Sequence, residues 1–431
     1  MPYSSPSIPP RRIGFVSTRF STTDGVSLET HKWAHVLSGL GHQMFYFAGL
    51  CNRPPEVSYV VPEAHFDHPE IRKISDIVFR LRVRPFEVTR RIHELQWLIK
   101  QHLYKFVQQF DIELLIVENA LSIPMNLPLG LALTELIAET GLPTIGHHHD
   151  FSWERKRFLI NCVGDYLDMS FPPRLPTIKH VVINSLAANQ IARRKGITST
   201  VLPNVMDFEH PPAPPDEYTT SLRADLGIAA DEIFYLQPTR VVRRKGIEHA
   251  IELVRRVGGK AKLVISHESG DEGGEYKEHI RTFAELFGVN VLFSSDLIGD
   301  QRGITADGSK IYSLEDIYPY SDIVTYPSII EGFGNAFLEA IYFRKPLVLN
   351  AYTIYSTDIN PKGFKAIEFD GFITEDTVKQ VQTVLAHPDL VHAMTEHNYN
   401  LAKKFFSYRV LQQQLEGLLI SFFGEGNGQS A

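Results

Sequence analysis

The chain has 431 residues, of which 43% are hydrophobic and 22% charged, and its formal net charge is −7. This length predicts two domains of about 200 residues, and the acidic balance argues against a nucleic-acid-binding protein. Two cysteines exclude a disulfide framework and are typical of a protein in the reducing cytoplasm. We expect no membrane span, because no apolar run approaches about eighteen residues, and the first ten residues lack the pattern of a signal peptide and resemble a disordered tail.

In residues 11–205, apolar strands alternate with amphipathic helices, which predicts a Rossmann-like domain with a parallel sheet. The first helix would be capped by Asp24 or Ser27, whereas residues 51–86 show no regular pattern. The predicted strands are 12–17, 43–48, 113–118, 144–146, 179–184 and 198–202, and the predicted helices include 87–110, 129–140 and a segment ending at Arg194.

The predicted helix over residues 87–110 carries three cations, Arg90, Arg91 and Lys100. These cations would face an anionic acceptor or a membrane in one interpretation. In the other they form an ordinary solvated face, which is the more common role of such a set.

The stretch PTIGHHHDFSWERKRF, residues 143–158, places His147, His148 and His149 at the end of a predicted strand. A zinc site would require further spaced ligands, because adjacent residues cannot all reach one ion. A core histidine would explain one of the three, and a strand-end histidine in an active site is the remaining interpretation. Residues 153–157 suit a small anionic or polyhydroxyl acceptor, or form an ordinary exposed helix.

The Pro-rich, acidic run at residues 201–217 is the best domain boundary in the chain. It predicts a linker at 206–216, a second Rossmann-like domain at 217–405 and a final helix with a tail at 406–431. The predicted strands of the second half are 233–237, 262–266, 290–293, 323–326 and 347–349, and its helices are 275–287, 375–385 and 390–423.

The run PTRVVRRKG places Arg240 and Lys245 five residues apart across a predicted strand-to-helix turn, and Gly246 opens the helix. Two cations beside a helix N-terminus can stabilise the negative charge that builds on a departing nucleotide. With Arg243 and Arg244 between them, the alternative is a solvated basic turn.

The run SDIVTYPSIIEGFGNAFLEAIYFRKP, residues 321–346, predicts a buried strand, a glycine-containing turn and a helix entered at about Gly334. Glu331 lies in the turn, and Glu339 lies about two helical turns further on, on roughly the same side. Gly332 and Gly334 let the backbone approach a ligand, and the helix N-terminus favours an anion such as phosphate. The two carboxylates would then hold hydroxyl groups.

Together these motifs resemble those of the retaining glycosyltransferases of family 4: the E-x7-E signature, the R-x4-K-G turn and a strand-end histidine. The resemblance covers residues 12–424. It implies an α/β protein of the GT-B fold, with two Rossmann-like domains facing each other across a cleft and a C-terminal helix crossing back to the first domain.

The resemblance also implies roles for residues of the donor site. Glu331 would contact the donor sugar and Glu339 the ribose. Backbone N–H groups of Phe333, Gly334 and Asn335 would hold the phosphates or the sugar hydroxyls. Residues 295–316 should hold the nucleotide base.

In the same resemblance, Arg240 and Lys245 would stabilise the leaving group, and His149 would contact the sugar near its anomeric carbon. Gly25 would let the first loop approach the diphosphate. Acceptor contacts are expected from Asp24, His148, Asp150 and Arg155, with His148 as the alternative to His149. No D-x-D pair is present, so a divalent metal is not indicated and no cofactor is required.

The implied reaction moves mannose or glucose from GDP-mannose or UDP-glucose to a small acceptor, with retention and by front-face attack. Glycerate, phosphoglycerate or a glycoside of these is favoured, since the HHHDFSWER run is similar to that of enzymes of mannosylglucosylglycerate-type solute synthesis. A lipid or polysaccharide acceptor, a sugar phosphorylase, a nucleotide-sugar epimerase and a silent sugar-nucleotide binding module are the alternatives. The sequence carries no signal for oligomeric state.

Two segments depart from the family pattern. Tyr342, Phe343 and Arg344 stand where the motif helix usually continues with small residues, and the segment Asn350 to Tyr352 replaces a glycine pair. We therefore expect details of sugar and acceptor binding to differ from those of other members.

Overall fold

The computed structural model describes residues 8–21, 25–267, 274–294, 296–299 and 301–424. The chain divides into two compact units, which are described separately below. Unit 1 contains residues 1–204 and 408–431, and unit 2 contains residues 205–407. Asp24 and most of the predicted N-terminal tail lie outside the described residues.

Unit 1 is built on a parallel sheet of seven strands in the order β3-β2-β1-β4-β5-β6-β7. The strands are β1 (Arg12–Val16), β2 (Gln43–Ala48), β3 (Ser58–Val60), β4 (Leu114–Glu118), β5 (Thr144–His148), β6 (Ile178–Val182) and β7 (Ser199–Val201). A further pair of two-residue strands joins Arg19–Phe20 to Leu50–Cys51. The parallel order confirms the Rossmann-like character predicted for the first half.

Seven helices of unit 1 lie between these strands. They are α1 (Gly25–Gly39), α2 (Pro69–Val78), α3 (Phe86–Gln109), α4 (Leu127–Thr140), α5 (Lys156–Leu159), α6 (Gly164–Ser170) and α7 (Ser185–Lys195). Helices α3 and α4 supply much of one core, in which Leu103, Phe106 and Leu133 are fully buried against strands β1 and β4. Burial on both faces explains why the central strands are continuous apolar runs.

The prediction that residues 51–86 are irregular is wrong in two places. Strand β3 is short and half exposed at the sheet edge, so its sequence SYV carries little signal. Helix α2 buries three residues, Ile71, Ile74 and Val78, among charged neighbours. The helix has only ten residues, which is a short window for recognising a periodic pattern.

The basic face of α3 is neutralised by neighbouring carboxylates. The pairs are Arg90–Glu94 at 3.6 Å, Arg91–Glu94 at 3.0 Å and Lys100–Glu135 at 2.8 Å. Lys100 is also buried, and it reaches Glu139 at 2.7 Å. These pairs favour the structural interpretation of this face over contact with an anionic acceptor or membrane.

Unit 2 contains a second parallel sheet, of six strands in the order β10-β9-β8-β11-β12-β13. The strands are β8 (Ile233–Arg240), β9 (Ala261–His267), β10 (Asn290–Phe293), β11 (Ile323–Tyr326), β12 (Leu347–Asn350) and β13 (Ile367–Phe369). Three short strands, Ile298–Gly299, Gly303–Ile304 and Lys310–Ser313, form a separate small sheet. The main sheet confirms the second Rossmann-like half.

The helices of unit 2 connect and flank the strands of this sheet. They are α8 (Leu222–Asp225), α9 (Ile247–Val257), α10 (Gly274–Phe287), α11 (Leu314–Ile317), α12 (Asn335–Tyr342), α13 (Glu375–Ala386) and α14 (Pro388–Phe405). Ile251, Leu263 and Val381 are fully buried in one apolar cluster of unit 2. No helix in the described part of the chain is long and apolar enough to cross a membrane.

The helix predicted over residues 390–423 is two helices. The first, α14, ends at Phe405, and the second, α15 (Tyr408–Phe423), begins after the break at Ser407. Helix α15 belongs to unit 1, where it packs against α1, and Arg11 lies over the Phe423 ring at 4.3 Å. The C-terminal helix therefore returns to the first unit, as the fold class requires.

Candidate active site

Two adjacent parallel strands of unit 2 position the first group of candidate residues. Strands β8 and β11 pair directly, so the loops that follow them leave the same edge of the sheet. After β8 the chain forms a 3₁₀ turn, Arg243–Lys245, and Gly246 adopts a left-handed conformation with φ +58° before α9. The carbonyl of Pro327 lies so close to Gly246 that a methyl group there would approach it to 2.5 Å.

Glu331 is the centre of this group, which we call the Glu331 site and define by Arg240, Arg244, Lys245 and Glu331. Lys245 Nζ donates to Glu331 Oε1, and Arg244 Nη1 lies 3.3 Å from Oε2. The side chains of Lys245 and Glu331 are 10% and 9% exposed. The loops are also joined through the backbone, because Ile329 N–H donates to Arg244 O at 2.8 Å.

The charges of the Glu331 site offset the cost of burial. Burial raises the pKa of the Glu331 carboxyl, but the charges of Lys245 and Arg244 outweigh it and lower this pKa below its ordinary value. Burial lowers the pKa of Lys245, and the charge of Glu331 opposes that change. Arg240 is exposed, and its charge also acts on Lys245. Two cations on one carboxylate, with Arg240 acting on one of them, leave an excess of positive charge, which suits an anion.

The turn after Glu331 requires glycine at position 334 because of its backbone conformation and the close approach of Tyr352. Gly334 has φ +117°, and a methyl group there would lie 2.5 Å from the Tyr352 hydroxyl oxygen. That hydroxyl donates to the carbonyl oxygen of Phe333 at 2.8 Å, while the Phe333 ring packs on Phe406. Helix α12 follows at Asn335, and no side chain caps its first turn. The helix N-terminus thus lies in the loop where the sequence predicts it.

Glu339 lies about one turn into α12 and is bound by a buried tyrosine. Tyr318 Oη donates to Glu339 Oε2 at 2.8 Å, and burial together with the Glu339 charge raises the pKa of Tyr318 well above its ordinary value. This hydrogen bond orients the carboxylate and leaves oxygen lone pairs for further hydroxyl groups. The ribose contact of Glu339 stays a prediction.

The residues that depart from the family pattern contact other residues of unit 2. Phe343 stacks on Tyr318 at 4.8 Å, and Arg344 lies over the Tyr399 ring at 3.7 Å. Asn350 Nδ2 donates to the carbonyl oxygen of Ser328 at 3.1 Å, which fixes the loop before Glu331. The bulky residues therefore support α12 and the loop that precedes it.

In unit 1, strands β4 and β5 bring together three residues that we call the Glu118 cluster: Glu118, His147 and His149. Glu118 is opposite His147 in the parallel register, and His149 follows two residues later on the same face. Glu118 Oε2 lies 2.9 Å from His147 Nδ1 and 3.1 Å from His149 Nε2. The Glu118 side chain is fully buried, and that of His149 is 11% exposed.

Burial and the two imidazoles shift the pKa of Glu118 in opposite directions. Burial raises the pKa of its carboxyl, but His147 and His149 outweigh burial and lower this pKa to about 2. Burial lowers the pKa of His147. At His149 the hydrogen bond with Glu118 and the charge of Glu118 outweigh burial, so its pKa is raised. The sequence does not predict this cluster, because Glu118 is about thirty residues away from the histidines along the chain and only the strand pairing brings them together.

His148 points to the other face of β5 and is fully buried. Its Nε2 lies 2.8 Å from Nδ1 of His180, and the ring fits against Gly146, where a methyl group would approach it to 3.0 Å. Burial lowers the pKa of His148 well below its ordinary value. The ring of His148 is buried and bound to His180, which does not favour the predicted acceptor contact, and that contact stays a prediction.

Asp150 and Arg155, two other predicted acceptor residues, are paired with each other. Asn119 connects them to the Glu118 cluster, since its Oδ1 accepts from the His149 backbone N–H at 2.8 Å and its Nδ2 donates to Asp150 at 3.0 Å. Arg155 remains 40% exposed at its side chain. The structure thus brings His149, Asp150 and Arg155 into one hydrogen-bonded group.

Comparisons with known proteins cover most of the chain. A family model described as "Glycosyl transferases group 1" matches residues 219–401. A mannosylglucosylglycerate synthase of Thermotoga maritima is 32% identical over 94% of this chain and 98% of its own length. Another, of Petrotoga mobilis, is 30% identical over 92% of this chain and 99% of its own. The chain belongs to the group 1 glycosyl transferases.

The fold agrees with that of other glycosyltransferases. A glycosyltransferase structure from Rickettsia africae superimposes with a TM-score of 0.68, covering 97% of this chain and all of that one, at 12% identity. Two parallel sheets in Rossmann-like halves place this group 1 glycosyl transferase in the GT-B class.

Several residues of this group 1 glycosyl transferase were missed by the sequence analysis. Glu118 ends the apolar strand LLIVE at the sheet edge that also carries the histidines, and this position was the signal available. Tyr352 and Tyr318 carried no local signal, since their partners are distant in sequence. Gly25 begins α1 in open surroundings, with nothing within 4 Å of an added methyl group, so its diphosphate role stays a prediction.

Proposed function

We propose that the protein transfers a hexose from a nucleotide sugar to a small, soluble, anionic acceptor of the glycerate type. Mannose from GDP-mannose is the first candidate and glucose from UDP-glucose the second. The acceptor would be glycerate, phosphoglycerate or a glycoside of these, which fits the names of the relatives that align over nearly the whole chain. The observation that carries the proposal is the buried Lys245–Glu331 pair, to which Arg244 adds an excess of positive charge.

The Glu331 site would hold the donor diphosphate. In the structure Lys245 is bound to Glu331, and a diphosphate would offer it a stronger anionic partner. Glu331 would then accept hydrogen bonds from the hydroxyls of the donor sugar. Arg240 and the N-terminus of α12, with the backbone N–H groups of Gly334 and Asn335, would stabilise the remaining negative charge.

We propose that transfer proceeds with retention and by front-face attack. The bond between the anomeric carbon and the β-phosphate oxygen breaks, and the acceptor hydroxyl oxygen forms the new bond. The departing phosphate oxygen takes the acceptor's proton, so the products are a nucleoside diphosphate and a glycoside. Glu331 is bound to two cations, which supports a hydroxyl-binding role over that of a covalent nucleophile. The step uses no cofactor beyond the donor.

The proposed contacts of unit 1 rest on the family resemblance. His149 would contact the transferred sugar near its anomeric carbon. Arg155 is paired with Asp150, and an acceptor carboxylate would compete with Asp150 for its guanidinium group. A lipid acceptor is less well supported, because the cations of α3 are neutralised by carboxylates.

A thermal-shift screen with GDP, UDP, ADP and their sugar conjugates tests the donor site. A ligand that binds the folded state raises the melting temperature by mass action, so we expect GDP or GDP-mannose to give the largest shift. Lys245→Met should remove the shift, whereas Arg243→Met should keep it, because Arg243 faces Tyr276. Stabilisation by inorganic phosphate or a disaccharide, with no nucleotide effect, would instead favour a sugar phosphorylase.

A further inference from the structure

The Glu118 cluster has the composition and spacing of a three-ligand metal site. It offers two imidazole nitrogens and a carboxylate oxygen, and these ligand atoms all lie within 4.8 Å of one another. Tetrahedral ligands of one ion at bond lengths of about 2.0–2.2 Å are separated from each other by about 3.3–3.6 Å. The separations of Glu118 Oε2 from the two histidine nitrogens, 2.9 and 3.1 Å, lie slightly below this range, so a small outward shift of the side chains would admit an ion.

Hydrogen bonds do not account for all polar atoms of the cluster. His147 Nδ1 lies 2.9 Å from Glu118 Oε2, but the approach does not have the direction of a hydrogen bond. Glu118 Oε1 is also buried without a hydrogen-bond partner among the described residues. An unpaired buried polar atom destabilises the folded state, and a cation bound against both groups would remove that cost.

The cluster is held in place by its surroundings, as a preformed metal site requires. The β4–β5 register fixes Glu118 opposite His147, and Trp33 stacks on the His147 ring at 4.2 Å. Asn119 holds the backbone of His149. A second buried carboxylate, Glu29 of α1, adds negative charge near both imidazoles.

We propose that Glu118, His147 and His149 bind one divalent transition-metal ion of the Zn²⁺ class. Imidazole ligands favour Zn²⁺ and its neighbours over Mg²⁺ and Ca²⁺, which prefer oxygen ligands. Three protein ligands leave at least one coordination position for water or a substrate oxygen. Three adjacent histidines cannot all reach one ion, but His147 and His149 are two residues apart on the same face of the sheet, and the third ligand comes from β4.

A bound ion would orient the His149 ring through Nε2 and leave Nδ1 as the ring nitrogen for a ligand. This inference does not depend on the proposed reaction, since it is tested by metal binding alone. The ion would add to the folding stability of unit 1, because the unfolded chain does not hold the three ligands together.

The first test uses the full chain, without a polyhistidine tag and after removal of metal by a chelator. Titration with Co²⁺ should give visible d–d absorption that saturates at one equivalent per chain and is displaced by one equivalent of Zn²⁺. In the Co²⁺-loaded protein, proton NMR should show hyperfine-shifted exchangeable N–H signals from two imidazole rings. Absence of a saturable spectrum, or signals from a different number of histidines, would overturn the proposal.

The second test compares variants in which the ligands are replaced by residues of similar size. Glu118→Gln and His147→Asn should each weaken Co²⁺ binding at least tenfold. His102→Gln, which removes a histidine of α3 bound to Tyr59, should leave the binding unchanged. Unchanged affinity in both cluster variants would refute the site. Circular dichroism checks their folding, and the NMR count on the wild-type chain decides the question if they do not fold.

Discussion

The two buried carboxylates Glu118 and Glu331 differ in the partners that surround them. Each is positioned by parallel strands at a sheet edge, and each has a lowered pKa although burial alone would raise it. Glu331 is bound by Lys245 and Arg244, whereas Glu118 faces two imidazoles. The same architectural position therefore serves two kinds of chemistry.

The two carboxylate sites differ in the kind of ligand that their side chains can bind. The Glu331 site pairs its carboxylate with lysine and arginine side chains, so an incoming anion can replace the carboxylate as their partner. The Glu118 cluster holds nitrogen lone pairs, which a proton or a metal ion can occupy. Unit 2 is thus suited to a diphosphate and unit 1 to a cation.

We expect the largest loss of activity from removing Lys245, the cation nearest Glu331. Lys245→Met should lower kcat/KM for hexose transfer by about 10²–10³, because one preorganised donor to the leaving group is lost. Steady-state release of the nucleoside diphosphate measures this effect. Arg243→Met, in the same turn but facing Tyr276, should change kcat/KM less than about threefold. Equal losses in the two variants would mean that the turn matters through its net charge alone.

A smaller effect is expected at Gly334, which separates the turn from α12. Gly334→Ala should lower the free energy of unfolding by about 2 kcal/mol, since its φ is +117° and the methyl group would meet the Tyr352 hydroxyl. Urea denaturation measures the loss. Tyr352→Phe in the same chain should recover part of it by removing that oxygen. Gly25→Ala is the matched control and should stay within about 0.5 kcal/mol of the wild type.

The sequence was informative where chemistry is local. The motifs around Lys245 and Glu331 predicted a strand, a turn and a helix N-terminus, and the structure brings these two side chains together. The sequence predicts that the glycine at position 334 lets a ligand approach. In the structure, the atom that an added methyl group would meet first is the hydroxyl oxygen of Tyr352, eighteen residues further along the chain. That contact depends on how β12 pairs with β11, which no local pattern specifies.

In unit 1 the strands were predictable but the partners of the histidines were not. An apolar run with a terminal glutamate, such as β4, is compatible with an exposed or a buried carboxylate. The sheet order β1-β4-β5 decides the matter by placing Glu118 opposite His147. His148 alternates to the opposite face, where β6 supplies His180. Long-range pairing therefore divides three adjacent histidines between two roles.

The smallest expected effect is an acid sensitivity of unit 1 from His180. Burial lowers the pKa of His180 to about 4, from an ordinary value of 6.5. As pH falls below 6.5 the unfolded chain takes up this proton first, so stability is lost between pH 6.5 and about 4 and not further below. From pH 6.5 to pH 5 the loss should be about 1.5 kcal/mol.

His180→Gln tests this contribution, because its amide can still pair with His148 and does not titrate. Urea denaturation at pH 6.5 and pH 5 should show a shallower loss of stability in the variant than in the wild type. Arg243→Met, which changes a residue of unit 2 that faces Tyr276, should leave this pH dependence unchanged. An equal loss in wild type and His180→Gln would show that other groups cause the acid sensitivity.

The most direct test of the account is a turnover measurement by proton NMR. The purified chain is incubated with GDP-mannose and a glycerate glycoside, and the anomeric signals are followed from the start of the reaction. The account predicts one new glycoside with retained anomeric configuration, formed with stoichiometric GDP and absent with Lys245→Met. Release of GDP without a glycoside, a product of inverted configuration, or full turnover by Lys245→Met would contradict it.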